Sequence, residues 1–216
     1  MNKNIKVVLW DIGGVLTESP FDLFTKYEKS LSIPVGSIIK INSKNPLHNA
    51  WAKFEKDLIT KEKFVQLFKK EAEELNLTTL DPLKVLNCLN LKIMPNMVKI
   101  LDKVKSKYLC ACLTNNFNNK YLSNESKRSF ERIKKKFDIV FESSKIKMRK
   151  PEKKIYEFVI KNLGVRSKEI LFIDDLGMNL KIAKNLGMQT YKSTNPDQTI
   201  TFLNKVLEVE NGKYDI

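Results

Sequence analysis

The chain has 216 residues, 42% of them hydrophobic, so it can bury a sizeable core without disulfides or a structural metal. No apolar run approaches the roughly 20 residues of a membrane span, and the apolar stretch near the N-terminus is too short for a secretory signal. A cytoplasmic protein with no membrane partner is therefore expected. The net charge of +14 suggests nucleic acid, but the lysines are spread along the chain and greatly outnumber the arginines, so no nucleic-acid partner is expected.

The first strand is expected at roughly Ile5 to Asp11; its short apolar run, from Val7, is of the kind covered on both faces of a sheet and runs into Asp11 and then Gly13-Gly14. An acid there is a nucleophile, a metal ligand or a turn cap, and the glycines allow a sharp turn and close approach to a ligand. Ser19-Pro20 then signals a helix start. From there to about Asn90 the pattern is helical: Phe21, Phe24, Tyr27 and Leu31; Trp51, Phe54 and Leu58; Phe64, Leu67, Phe68 and Leu75. Asp81-Pro82 repeats the helix-start signature, giving about four or five helices without a strand.

After Pro95 the character changes. A helix carrying Met97, Ile100, Leu101 and Val104 precedes an apolar strand at Tyr108 to Leu113. In the densest basic cluster, Lys127-Arg128 through Lys134-Lys135-Lys136, the charges alternate with Phe130, Ile133 and Phe137, which reads as the solvated face of an amphipathic helix. Ile139 to Phe141 is the next strand, and Pro151 is expected to open a helix that Gly164 ends. Ile170 to Ile173, a helix to Gly187, a strand near Met188 to Tyr191 and a helix from Asn195-Pro196 complete the order. Strands alternating with helices predict a doubly wound parallel α/β sheet, residues 1–16 and 92–216, with residues 17–91 as a helical insert. The three cysteines, Cys88, Cys110 and Cys112, include no C-x-x-C and read as small hydrophobes.

Polar residues follow the apolar strands: Asp11, then Thr114-Asn115-Asn116, then Lys150 downstream of Phe141, then Asp174-Asp175. In an open parallel sheet these positions converge on one edge, where ligands bind. Clustered carboxylates repel one another without a cation, and an all-oxygen donor set suits a hard one, most simply Mg²⁺. Thr114, Asn115 and Lys150 are donors suited to phosphate oxygens. A carboxylate nucleophile, Mg²⁺ and phosphate donors together describe phosphoryl transfer through an aspartyl-phosphate.

These stretches resemble the four motifs of the haloacid dehalogenase superfamily: Asp11-Ile-Gly-Gly-Val, Leu113-Thr114-Asn115, Lys150-Pro151 and Ile173-Asp174-Asp175. Phe141-Glu142-Ser143, Lys150-Pro151-Glu152 with Ile155-Tyr156, and Asp174-Asp175-Leu-Gly-Met-Asn179 are more similar to the N-terminal phosphatase domain of soluble epoxide hydrolase and its bacterial relatives. The resemblance implies a Rossmann-like core with a helical cap after strand one, and a hydrolase acting on a small phosphorylated metabolite such as a sugar phosphate. It implies Asp11 as nucleophile and metal ligand, with the Gly13 carbonyl, Asp174 and Asp175 completing the Mg²⁺ site. Thr114, Asn115 and Lys150 would hold the phosphoryl group, and the protein would be a monomer or homodimer.

One position departs from the pattern. Most phosphatases of the superfamily carry a second Asp two residues after the nucleophile, where this chain has Gly13. Such an acid–base group typically contributes about 10²–10⁴-fold. Substitution by Glu18 or His48, a substrate with an undemanding leaving group, a phosphate-binding protein of weak catalysis, and a haloacid dehalogenase are the readings this leaves.

Overall fold

The structure is a computed structural model, and it describes residues 4–90 and 92–209. Five parallel strands form one sheet: β1 (Val7–Trp10), β2 (Leu109–Thr114), β3 (Ile139–Glu142), β4 (Ile170–Asp174) and β5 (Gln189–Lys192). Their spatial order is β3-β2-β1-β4-β5, so β1 is central and the winding reverses between β1 and β4. Every residue of β1 is buried, which explains its unbroken apolar sequence. Val8 and Trp10 face one layer, with helices α6 (Pro95–Lys105) and α11 (Pro196–Val209). Val7 and Leu9 face the other, with α9 (Lys153–Leu163) and α10 (Gly177–Asn185). Cys110 and Cys112 share the first layer as buried free thiols.

Register determines where the chemistry falls. Val7 to Trp10 pair in step with Leu109 to Cys112 on one side and with Ile170 to Ile173 on the other. Asp11, Thr114 and Asp174 therefore emerge together at the carboxyl edge, beside the winding reversal where ligands bind in such sheets.

Between β1 and α6 lie five helices: α1 (Pro20–Ser30), α2 (Ser37–Lys44), α3 (Ala50–Glu55), α4 (Lys61–Glu73) and α5 (Pro82–Asn87). They have a core of their own, built around Phe24, Ile38, Ile41, Phe54, Phe64 and Phe68. Ser19 and Asp81 cap α1 and α5 as their sequences predict, accepting from the N–H groups of Phe21 and Leu83. The chain enters and leaves this block side by side: Glu18 N–H donates to the Lys92 carbonyl and Met94 N–H to that of Leu16, both at 2.9 Å.

Several local expectations change. Pro151 does not open α9, which starts at Lys153 after Glu152 as N-cap; Pro151 lies instead in a turn closed by the Glu152 N–H on the Arg149 carbonyl at 2.9 Å. Leu58 lies beyond α3 and is exposed. The basic helix α7 (Asn124–Lys134) ends earlier than its charge run, and Lys134 is not solvated: it pairs with buried Glu142 at 3.2 Å. No described helix is long and apolar enough to cross a membrane.

Candidate active site

The lysine is the centre of the constellation. Lys150 is 1% exposed, and its Nζ lies 2.8 Å from Asp11 Oδ2 and 2.8 Å from Asp174 Oδ2. Burial opposes its charge, but the two carboxylates offset that and raise its pKa above the ordinary lysine value. Asp11 is fixed at both oxygens, since Oδ1 accepts from the Ile12 N–H at 2.7 Å. Asp174 is fully buried and held by the Leu176 N–H at 2.8 Å and by the Asn179 amide at 3.0 and 3.1 Å.

Asp175 completes an acidic cluster in which one ligand atom from each of Asp11, Asp174 and Asp175 lies within 4.8 Å of the others. Desolvation, followed by repulsion within the cluster, pushes Asp11 up to about 7 and Asp175 up to about 6. One lysine does not neutralise three carboxylates. The oxygen donor set, its spacing and its residual negative charge fit a small hard cation. The glycines have different jobs. A Cβ on Gly14 would sit 2.2 Å from Asp175 Oδ2, and its φ of +69° is left-handed, so glycine there lets Asp175 lie against the β1 loop. A Cβ on Gly13 would meet nothing within 4 Å.

Thr114 is buried at the end of β2 and borders the same cavity as Asp11, Gly13, Lys150 and Asp175. The Asn115 side chain is spent on the lysine loop: its Oδ1 accepts from the Lys150 N–H and its Nδ2 donates to the Lys150 carbonyl, each at 2.9 Å. It thus braces Lys150, and it also borders the cavity. Asn179 and Asn115 as supports for Asp174 and Lys150 are legible in sequence only as polar residues near the motifs; their partners appear only on folding. Glu18 and His48 are both exposed and do not border the cavity.

The cavity has a volume of about 970 Å³ and runs from Asp11 up between the helical block and α7. Phe21 and Trp51 border it, whereas Phe54 does not: its ring is stacked between those of Phe64 and Phe117. Three consecutive residues, starting from the last of α3, grip the lysine loop. Glu55 pairs with Arg149 at 2.6 Å, Lys56 with Glu152 at 2.7 Å and Asp57 with Lys147 at 2.7 Å. The other Glu55 oxygen accepts from the Trp51 indole at 2.9 Å.

The parallel sheet, the winding reversal and the lysine-bridged acids define a hydrolase of the haloacid dehalogenase-like class. Residues 5–187 match the model of the haloacid dehalogenase-like hydrolases, and the chain belongs to that family. It is 31% identical over 210 residues to acyl-CoA dehydrogenase family member 10 of Mus musculus, a match covering 95% of this chain and 19% of that protein. It is 31% identical over 115 residues to bifunctional epoxide hydrolase 2 of Rattus norvegicus, covering 51% of this chain and 20% of that protein. The chain thus spans about a fifth of the length of these relatives. A family enzyme from Bacteroides thetaiotaomicron, solved in complex with magnesium and inorganic phosphate, matches with a TM-score of 0.57 at 26% identity, over 87% of this chain and 93% of that one.

Proposed function

We propose that the protein is a Mg²⁺-dependent phosphomonoesterase that acts on a small phosphorylated metabolite through an aspartyl-phosphate on Asp11. The observation that carries this reading is Lys150 Nζ, 2.8 Å from both Asp11 and Asp174 at the floor of a large cavity. Asp11, Asp174, Asp175 and the Gly13 carbonyl would hold the cation, which when bound supplies positive charge against the carboxylates and the phosphate.

The residues then divide the work. Thr114 donates to a phosphoryl oxygen, and Lys150 offsets negative charge as it builds in the transition state. Asn115 keeps Lys150 in place through its backbone. An Asp11 carboxylate oxygen attacks phosphorus, the O–P bond to the organic group breaks, and the leaving oxygen takes a proton from water. Water then attacks phosphorus, gives up a proton to solvent, and breaks the Asp11 O–P bond, freeing Asp11 and inorganic phosphate. With Gly13 in place of an acid, no side chain there protonates the leaving oxygen, so substrates with acidic leaving groups, such as sugar 1-phosphates and acyl phosphates, turn over best. The block at residues 17–91 acts as the cap that screens the aspartyl-phosphate from water.

The test is phosphate release from p-nitrophenyl phosphate and a panel of sugar and acyl phosphates, with wild type and Asp11→Asn run side by side. Activity that EDTA abolishes, Mg²⁺ restores and Asp11→Asn lacks is the expected result. Metal-independent halide release from 2-haloacids, with no phosphate release, would overturn it.

A further inference from the structure

We infer that Glu55, a residue of the helical block, is a positioning residue for Lys150. Its carboxylate holds Arg149 and its carbonyl is tied to the loop after β2, so it fixes both segments that set the lysine amine between the acids. The inference rests on the phosphomonoesterase reading, in which Lys150 offsets charge on the phosphoryl group.

Lys150 sits in the loop at residues 147–152, between β3 and α9. Its own partners, Asp11, Asp174 and Asn115, belong to the core. Three other side chains of that loop, Lys147, Arg149 and Glu152, pair with Asp57, Glu55 and Lys56 of the block. Of the three, Arg149 is the one joined to the lysine by a peptide bond. It is gripped twice: its Nε donates to Glu55 Oε2 at 2.6 Å and its Nη1 to the Pro46 carbonyl at 2.8 Å. A guanidinium is a planar fork, so two such bonds fix its direction. The other Glu55 oxygen accepts from the Trp51 indole, so the carboxylate is itself held.

A second connection runs through the Glu55 backbone. The fully buried Ser143 hydroxyl donates to the Glu55 carbonyl at 2.8 Å and accepts from the Asn116 N–H at 2.9 Å. Asn116 follows Asn115, which braces the Lys150 peptide groups. The end of α3 thus meets the lysine loop beside Lys150 and the β2 loop beside its brace.

Docking the block does not require this arrangement, because the Lys56–Glu152 and Asp57–Lys147 pairs already join the two regions. The Arg149 and Glu55 side chains are 13% and 10% exposed, and desolvation makes a buried pair a weak source of stability while its short charge-assisted bond fixes geometry. Geometry is what catalysis depends on: a misplacement of about 1 Å can cost on the order of 10²-fold in rate.

The experiment measures kcat and KM with Mg²⁺ for the fastest substrate of the phosphate panel. It compares wild type, Glu55→Gln, Arg149→Gln, the double variant and Asp57→Asn, with denaturant unfolding to establish that each is folded at the assay temperature. Glu55→Gln should lower kcat about tenfold and leave KM within about twofold, the mark of an interaction made in the transition state. Arg149→Gln should do the same, and the double variant should be no slower than the slower single one, because both act through one contact. Asp57→Asn breaks a more exposed pair of the same interface and should keep kcat within about twofold of wild type. If Glu55→Gln and Arg149→Gln unfold more readily but turn over at the wild-type rate, Glu55 only docks the block and the inference is wrong. It is equally wrong if Asp57→Asn slows turnover as much as they do, or if the two single effects multiply in the double variant. Should Glu55→Gln fail to fold, Arg149→Gln, which leaves the Glu55–Trp51 bond in place, decides by the same criteria. If wild type releases no phosphate from any member of the panel, the phosphomonoesterase reading falls and this inference with it.

Discussion

The carboxyl edge of the sheet and the helical block above it are built on opposite principles. At the edge, the lysine and two of the acids hold one another in place: Lys150 is fixed by Asp11, Asp174 and Asn115, and Asp174 by Asn179. In the block, aromatic rings pack against one another at centroid distances near 5–6 Å. The edge is a fixed electrostatic device; the block is a packed wall. On the proposed function, chemistry belongs to the first and selectivity to the second.

Lys150→Met should have the largest effect. It leaves two buried carboxylates facing each other without their shared cation, and removing one partner of a buried pair costs about 3–5 kcal/mol. Chemical denaturation without metal should show that loss, and phosphate release should vanish. Phe21→Ala, at the cavity wall in the block, should leave p-nitrophenyl phosphate turnover within a few-fold of wild type, consistent with selectivity rather than chemistry there.

The two adjacent glycines sharpen the contrast within the edge. Gly14→Ala drives a methyl into Asp175 at a left-handed backbone position and should cost about 1–3 kcal/mol along with Mg²⁺ dependence. Gly13→Ala has open space and should fall within about 1 kcal/mol of wild type in denaturant unfolding. Gly13→Asp, by adding an acid, should speed Mg²⁺-supported hydrolysis of alkyl phosphates about tenfold or more.

A pH series on metal-free protein reads the same acidic cluster. Asp11 and Asp175 titrate at about 7 and about 6 in the fold, against an ordinary 3.8. The folded state therefore keeps protons that the unfolded chain has lost. Thermal stability in EDTA should fall as pH rises from about 4 through about 7. Mg²⁺ should remove most of that slope, and a flat profile in EDTA would count against a desolvated acidic cluster.

The smallest effects belong to the contacts between the two regions. Lys56–Glu152 has side chains 10% exposed on both sides, whereas Lys147 of the Asp57 pair is 47% exposed. Glu152→Gln should thus cost more than Lys147→Gln, with the latter near the roughly 0–1 kcal/mol of surface pairs.

Much of the edge is legible in the amino-acid sequence, because a strand announces itself by its apolar run and ends on its polar residue. Asp11, Thr114 and Asp174 are placed by that rule alone, and the parallel order follows from alternation. The supports are not legible in the same way. Asn115 has the side chain of a phosphate donor, and only the approach of the Lys150 backbone reveals it as a brace. Lys134 reads as one more surface lysine until β3 brings Glu142 beneath it. In the block, helical spacing predicts burial but does not separate Trp51, at the cavity, from Phe54, in the stack. Both lie on the same periodic face, and the distinction depends on which neighbour arrives.

On the proposed function, Asp11 becomes covalently phosphorylated during turnover. The direct measurement is acid quench of the enzyme during turnover with Mg²⁺, followed by borohydride reduction and mass spectrometry of the peptide carrying position 11. Reduction of an aspartyl-phosphate yields homoserine, so homoserine at position 11, absent without substrate, is the predicted result. Turnover with unmodified Asp11, or with the reduced residue elsewhere in the chain, would contradict it.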